Sequence, residues 1–266
     1  MATEVATAPP IARLAATLGI SPPPLTPDKP LPPGWHGVYF TPAIGPDKLR
    51  PDGQAAGNAS LPSIPLRRFR IGLDRTDFPG VLRLGDEMRR ISKITDISIE
   101  GRSEGPLVRL VHRNEISGPG GLAVVEERES IYFDRTPPAL TALPDLPEPR
   151  WRQVVQPDPI LLFRFSALRF NSHRIHYDRD YAVHEEGLPG LIVQAAMITQ
   201  LLLEMCRSAV PERRIAAFKA RTRHPIYDTG PFTLCGTPSE DNRSAMMWAL
   251  DADGSPALTG EITLAE

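Results

Sequence analysis

No apolar run in this sequence approaches the roughly 20 residues needed to span a bilayer. The longest candidate, Leu188 to Met205, is interrupted by Pro189, Gly190, Gln194, Thr199, Gln200 and Glu204, so no membrane-spanning segment is expected. Cysteine is scarce too. Cys206 and Cys235 alone cannot build a disulfide framework or a four-cysteine zinc site, and they read as buried small hydrophobes in a reduced, cytoplasmic protein. A basic excess is missing: 30 Lys+Arg against 32 Asp+Glu give a net charge of −2, which argues against a dedicated nucleic-acid binder. The first ten residues carry Glu4 and no basic stretch, so no secretory signal is expected. Proline, by contrast, is abundant. Thirty prolines limit how much long helix the chain can hold. The rest of the composition, 41% hydrophobic and 23% charged over 266 residues, is that of a globular protein with one large domain or two small ones.

The proline-rich stretches divide the chain. Residues 1–34 hold a helical candidate, Ile11 to Leu18, with Ile11, Leu14, Ala15 and Leu18 on one face. An extended run with Pro22, Pro23, Pro24, Pro27, Pro30, Pro32 and Pro33 follows. Residues 35–135 read as a first half, with strands at Met88 to Ile99, Leu107 to Ser117 and Leu122 to Phe133. Glycine-containing turns separate them, which implies an antiparallel meander rather than βαβ units. A linker over 136–150, with Pro137, Pro138, Pro144, Pro147 and Pro149, leads to a second half, 151–266. There the pattern predicts a strand at Pro159 to Phe165 and a helix at about Leu191 to Arg207. That helix is apolar on most sides and therefore buried. Strands are predicted at Ile215 to Arg223, Phe232 to Gly236, Ser244 to Asp251 and Ala257 to Leu264, with Asp253-Gly254 as a hairpin turn. The second half is thus an antiparallel sheet around one buried helix, and the first reads as a shorter copy.

Titratable groups concentrate between Asn171 and Tyr181, where His173 and His176 fall, with His184 close behind. Such a segment is a solvated polar loop, a metal site or an acid–base site. His173, His176 and Asp178 match no standard zinc spacing, so the metal reading ranks below proton transfer, for which histidine titrates near neutrality. About ten residues on, Glu186 to Ala196 form a Gly/Pro turn feeding the buried helix. Taken alone this is an ordinary loop entering a core helix. Beside the histidines it offers unpaired helix N-terminal amides to a developing enolate oxygen.

The segment Arg164 to Asp178, with Tyr181-Ala182, resembles the MaoC-like hydratase/dehydratase group of the hot-dog fold. Pro32-Pro33-Gly34-Trp35-His36, Tyr39-Phe40, Gly85-Asp86, Gly105 to Val108, Glu115 to Ser117 and Asp228 to Phe232 are similar to its double-hot-dog branch. That branch contains mesaconyl-C4-CoA hydratase and the fungal mitochondrial 3-hydroxyacyl-thioester dehydratases. The resemblance covers most of the chain and implies an α+β double hot-dog fold, two antiparallel sheets each wrapped around a helix. It also implies a hydro-lyase that reversibly hydrates an enoyl thioester, carried on coenzyme A or on an acyl-carrier protein, with no cofactor. Monomers and homodimers of such chains are both compatible with the plan.

In this family an Asp and a His five residues later activate the water. Asn171 and His176 stand at that spacing, which makes His176 the general base and later acid and Asn171 the group that orients water or imidazole. His173 is a second candidate. Where the family has His-Gly-Pro at the helix start, this chain has Gln194-Ala195-Ala196. Ala195 keeps the oxyanion role through its amide, with Ala196, Gly190, Arg174 and Tyr177 as further oxyanion or substrate-binding candidates. Lys219, Arg221 and Arg223 alternate along a predicted strand and are either coenzyme A phosphate ligands or a solvated face. Arg68 to Gly72 replaces a Trp-containing pocket segment of the family, so a diverged acyl specificity is expected. Two other readings stay open: a hot-dog thioesterase, with Glu186 as its carboxylate, and a non-catalytic thioester-binding protein.

Overall fold

The computed structural model describes residues 1–56, 64, 66, 68–103, 105–134 and 142–266. The linker expected over 136–150 lies outside the described residues up to position 141, and 142–149 run without helix or strand.

In chain order the elements are β1 (Ala2–Val5), α1 (Ala8–Leu18), β2 (Arg68–Asp77), β3 (Glu87–Glu100), β4 (Leu107–Gly118) and β5 (Gly121–Phe133). Then come β6 (Trp151–Val155), α2 (Pro159–Leu168), α3 (Ala195–Ala209), β7 (Arg214–Thr222), β8 (Phe232–Pro238), β9 (Ser244–Leu250) and β10 (Pro256–Ala265). The predicted meander of β3, β4 and β5 is present, as are the four C-terminal strands. β1, β2 and β6 have no counterpart among the strands that the sequence pattern predicts.

One expectation fails outright. Pro159 to Phe165 is not a strand but the body of α2. A short continuous apolar run does not distinguish strand from helix, and the deciding signal stands in front of it. The Asp158 side chain accepts hydrogen bonds from the Ile160 and Leu161 amides at 2.8 and 2.9 Å. Pro159 fills the first helical position, where its missing N–H costs nothing.

Among the described residues ten strands form one antiparallel sheet in the order β1-β3-β4-β5-β2-β7-β10-β9-β8-β6. Read outward-in, each half runs first, third, fourth, fifth, second strand. The halves meet where β2 pairs with β7, from Leu73 opposite Arg221 to Asp77 opposite Ala217. This is the double hot-dog plan, its two sheets joined into a continuous one. The repeat lies in the strands. The first half adds α1 and a one-turn 3₁₀ helix, Trp35–Val38, whereas α3 is the long helix of the second half and packs on β7, β8 and β9.

Met197, Leu202 and Cys206 of α3 are fully buried against Leu234, Met247 and Ile262 of the strands. Glu204 is buried as well, and its carboxylate receives Trp35 Nε1 at 2.5 Å, Gln200 Nε2 at 3.0 Å and the Arg207 guanidinium. A buried carboxylate tolerates this position because donors surround it. α3 starts four residues later than the sequence pattern predicts. Leu191 to Gln194 are extended instead: Ile192 bridges to Tyr227 and the Val193 amide donates to the Ile226 carbonyl at 2.8 Å. Among the described residues no helix is long and apolar enough to cross a membrane.

Candidate active site

The extended stretch ahead of α3 brings the histidine segment and the helix N-terminus together. His176 closes a 3₁₀ turn, Arg174–His176. The Ile192 amide donates to the Ile175 carbonyl at 2.9 Å, and His176 Nδ1 lies 2.8 Å from the Ile192 carbonyl. A carbonyl can only accept, so Nδ1 carries the proton and Nε2 presents a lone pair. Burial lowers the pKa of His176, partly offset by the Ile192 carbonyl. The imidazole is therefore neutral at physiological pH, in the tautomer that a base requires.

His173 packs edge-on to His176, with ring centroids 5.5 Å apart. Its Nε2 lies 3.1 Å from Gln54 Nε2 and accepts from that amide. Burial, followed by the neighbouring His176, pushes His173 down to about 4, so it too is neutral near pH 7. Asn171 follows Phe170, whose left-handed φ of 50° ends α2. Asn171 Oδ1 accepts from the His173 amide at 3.1 Å, which leaves the Nδ2 hydrogens as its available donors.

α3 begins without a side-chain cap. The Met197 and Ile198 amides both donate to the Gln194 carbonyl, at 2.9 and 3.2 Å. The Ala195 and Ala196 amides have no partner among the described residues, as expected for the first two positions of a helix. The Gln194 side chain turns away from them and donates to the Leu162 carbonyl and Ser166 Oγ, both at 2.9 Å, which fixes α3 on α2.

His176, His173, Asn171, Tyr177, Ala195 and Ala196 line one cavity of about 830 Å³. Ile71, Phe163, Ile198 and Leu258 supply apolar wall, and the side chains of 68–70 lie outside what is described. Of the three basic candidates on β7, Arg223 lines the cavity, whereas Lys219 and Arg221 do not. Gly190 and Arg174 are also absent from the lining. Arg174 pairs with Asp178 at 2.8 Å and stacks 4.0 Å above the Tyr181 ring. Glu186, the thioesterase candidate, is exposed and receives the Tyr181 hydroxyl at 2.9 Å.

Gly190 serves the site indirectly. A Cβ there would lie 2.7 Å from Asp228 Oδ1, the atom that accepts the Leu191 amide at 2.9 Å. The other Asp228 oxygen pairs with Arg179 at 2.5 Å. Asp228→Ala removes the acceptor of a buried amide, a cost of about 1–3 kcal/mol. The expected result is a melting temperature several degrees lower, read by thermal denaturation. An unchanged midpoint would show that Asp228 does not hold this turn.

Sequence reasoning missed the first half's contribution. Ser172 Oγ donates to the Gly53 carbonyl at 2.6 Å, and the Arg174 amide to the Asp52 carbonyl at 2.9 Å. Gly53, at φ 84°, lets the two backbones touch, since a Cβ would sit 1.8 Å from the Ser172 carbonyl oxygen. The Asp52-Gly53 pair was a readable turn signal, but its partner 119 residues away was not.

Comparison with known proteins shows the family to which the chain belongs. Residues 34–228 match the family described as hydroxyacyl-thioester dehydratase type 2. The chain is 38% identical over 259 residues to mesaconyl-C(4)-CoA hydratase of Chloroflexus aurantiacus, covering 94% of this chain and 90% of that one. It is 26% identical over 237 residues to the mitochondrial hydroxyacyl-thioester dehydratase type 2 of Schizosaccharomyces pombe, covering 77% of each. A MaoC-like dehydratase from Phytophthora capsici shares the fold with a TM-score of 0.67 at 15% identity, over 100% of this chain and 95% of that one. The matched span contains Asn171, His176 and the start of α3, and on both counts, family match and long-range identity, this chain belongs to the hydroxyacyl-thioester dehydratase type 2 family.

Proposed function

We propose that the chain is a hydro-lyase that reversibly adds water across the α,β double bond of a short enoyl-CoA, of the kind named in its Chloroflexus relative. The observation that carries this is the His176 Nε2 lone pair sharing one cavity with the unpaired Ala195 and Ala196 amides.

The substrate carbonyl docks on those two amides. Asn171 Nδ2 donates to a water, and His176 Nε2 takes a proton from it as its oxygen bonds to the β-carbon. The π electrons move through the α-carbon onto the thioester oxygen, and the enolate is held by the amides and the helix dipole. His176 then returns its proton to the α-carbon, so the elements of water are added and the enzyme is restored. His173 takes no proton. It is neutral, bound to Gln54, and buttresses the His176 ring. Arg223 is the residue assigned to a coenzyme A phosphate.

The test is absorbance at the enoyl-thioester band with crotonyl-CoA and mesaconyl-C4-CoA. Loss of the band without release of free thiol supports hydration; release of thiol would make the enzyme a thioesterase instead. The pH profile follows from burial. Both directions need neutral His176, whose pKa lies below the ordinary 6.5 of histidine. Thus kcat/KM is flat through neutrality and falls on the acid side, with its midpoint below pH 6.5. A midpoint above that value would count against His176 as the base.

A further inference from the structure

A second cavity, of about 210 Å³, adjoins the first, and Arg128 and Arg169 line both. It is polar where the first is apolar. Three guanidinium groups, from Arg90, Arg128 and Arg169, face two carboxylates, from Asp74 and Glu126. Both carboxylates are already engaged. Asp74 holds Arg128 through Nε at 3.1 Å and Nη2 at 2.6 Å. Glu126 accepts His36 Nε2 at 3.1 Å and Asn114 Nδ2 at 2.9 Å. Burial works to raise Glu126, but His36, Asn114 and Arg128 together outweigh it and keep the group ionised. Arg90 gives Nη1 to the Phe40 carbonyl at 3.1 Å and lies over the Phe40 ring.

Arg169 is different. Its guanidinium lies against Gly37, where a Cβ would come within 2.5 Å of Nη1, and 5.8 Å from the centroid of the Phe165 ring. No acceptor engages it among the described residues. Desolvation and the nearby Arg128 charge both act against its proton, with Glu126 and Asp74 pulling the other way. A guanidinium with five donors and no acceptor, held in the wall of a substrate cavity, calls for an anion. It stands two residues before Asn171 on the same segment.

We infer that Arg169, with Arg128 beside it, forms an anion subsite in the wall shared by the two cavities, which takes the free carboxylate of a dicarboxylic acyl thioester. This rests on the thioester-hydration reading for its orientation, with the thioester on α3 and the far end of the acyl group on Arg169. The substrate named for the Chloroflexus relative is such a half-thioester of a short unsaturated dicarboxylic acid; the inference is which residues of this chain hold its second carboxylate.

Saturated thioesters separate binding from turnover. Succinyl-CoA and butyryl-CoA have equal chain length and differ in the terminal carboxylate, and neither can be hydrated. By titration calorimetry succinyl-CoA is expected to bind the wild type about 10- to 100-fold tighter. Arg169→Met should bring that ratio near one, and Arg169→Lys should keep part of it. Arg169→Gln stands in if the methionine variant does not fold. Equal binding of the two thioesters to the wild type, which needs no variant, would overturn the subsite. So would a ratio that survives loss of the Arg169 charge. If the ratio depends on Arg169 but no enoyl-CoA is hydrated, the subsite stands and the hydration reading falls. If crotonyl-CoA is hydrated through His176 but succinyl-CoA has no advantage, the subsite alone falls.

Discussion

Replacing His176 by alanine is expected to lower kcat for enoyl-CoA hydration by about 10²- to 10⁴-fold, the range that a positioned general acid–base group contributes. The loss should fall on kcat, because in the proposed reaction Nε2 acts on water and the α-carbon and makes no bond to the ground-state thioester. Affinity for butyryl-CoA should stay within a few-fold. Alanine also removes the Nδ1 donor to the Ile192 carbonyl, 2.8 Å away, and so loosens the stretch that leads into α3. His176→Asn supplies the control. Its amide nitrogen can take the place of Nδ1 and keep the bond to Ile192, while nothing replaces Nε2. If the asparagine variant is as slow as the alanine one, proton transfer accounts for the loss. If it recovers most of the rate, His176 acts by positioning α3 and the base lies elsewhere, with His173 next in line.

The second large effect concerns an atom that side-chain truncation cannot reach. Ala195→Pro deletes one backbone N–H, and kcat is expected to fall about 10²- to 10³-fold, the effect of losing one oxyanion donor. The fold should survive it. Ala195 is the first residue of α3, where proline is favoured and no intrahelical hydrogen bond is lost. Gln194 before it has φ −62° and ψ 125°, inside the extended region that a residue preceding proline adopts. A melting temperature close to wild type with a collapsed kcat is the expected pair of readings. A fully active Ala195→Pro enzyme would show that the thioester oxygen does not bind at the start of α3.

How much of this could be read from the residues depended on the range of the interactions. The meander β3–β4–β5 was legible because Gly85-Asp86, Gly105 and Gly118 to Gly121 punctuate it locally. The site segment was legible because Asn171, His173 and His176 are close in sequence and lead into a helix start. α2 reads as a strand because its run of apolar residues lacks a period, although Asp158-Pro159 marks a helix start. β2 is weakly marked although Phe69, Ile71 and Leu73 alternate, since Gly72 interrupts them and charged residues follow. Gln54, Arg128 and Arg169 could not have been assembled from spacing. Arg128 comes to Arg169, at the end of α2, from β5 of the other half, and nothing local marks that approach.

The repeated strand order has a consequence for how such a protein can change. Two identical subunits must carry every substitution twice, so a pair built from copies of one half cannot alter one wall of a site without altering the other. Joined in a single chain, the halves are freed from that constraint. Here the second half supplies Asn171, His176 and the amides that open α3, while the first lends Gln54, Ile71 and Arg128 to the wall of the same cavity. Mutation can thus explore new acyl groups in one half while selection holds the chemistry constant in the other.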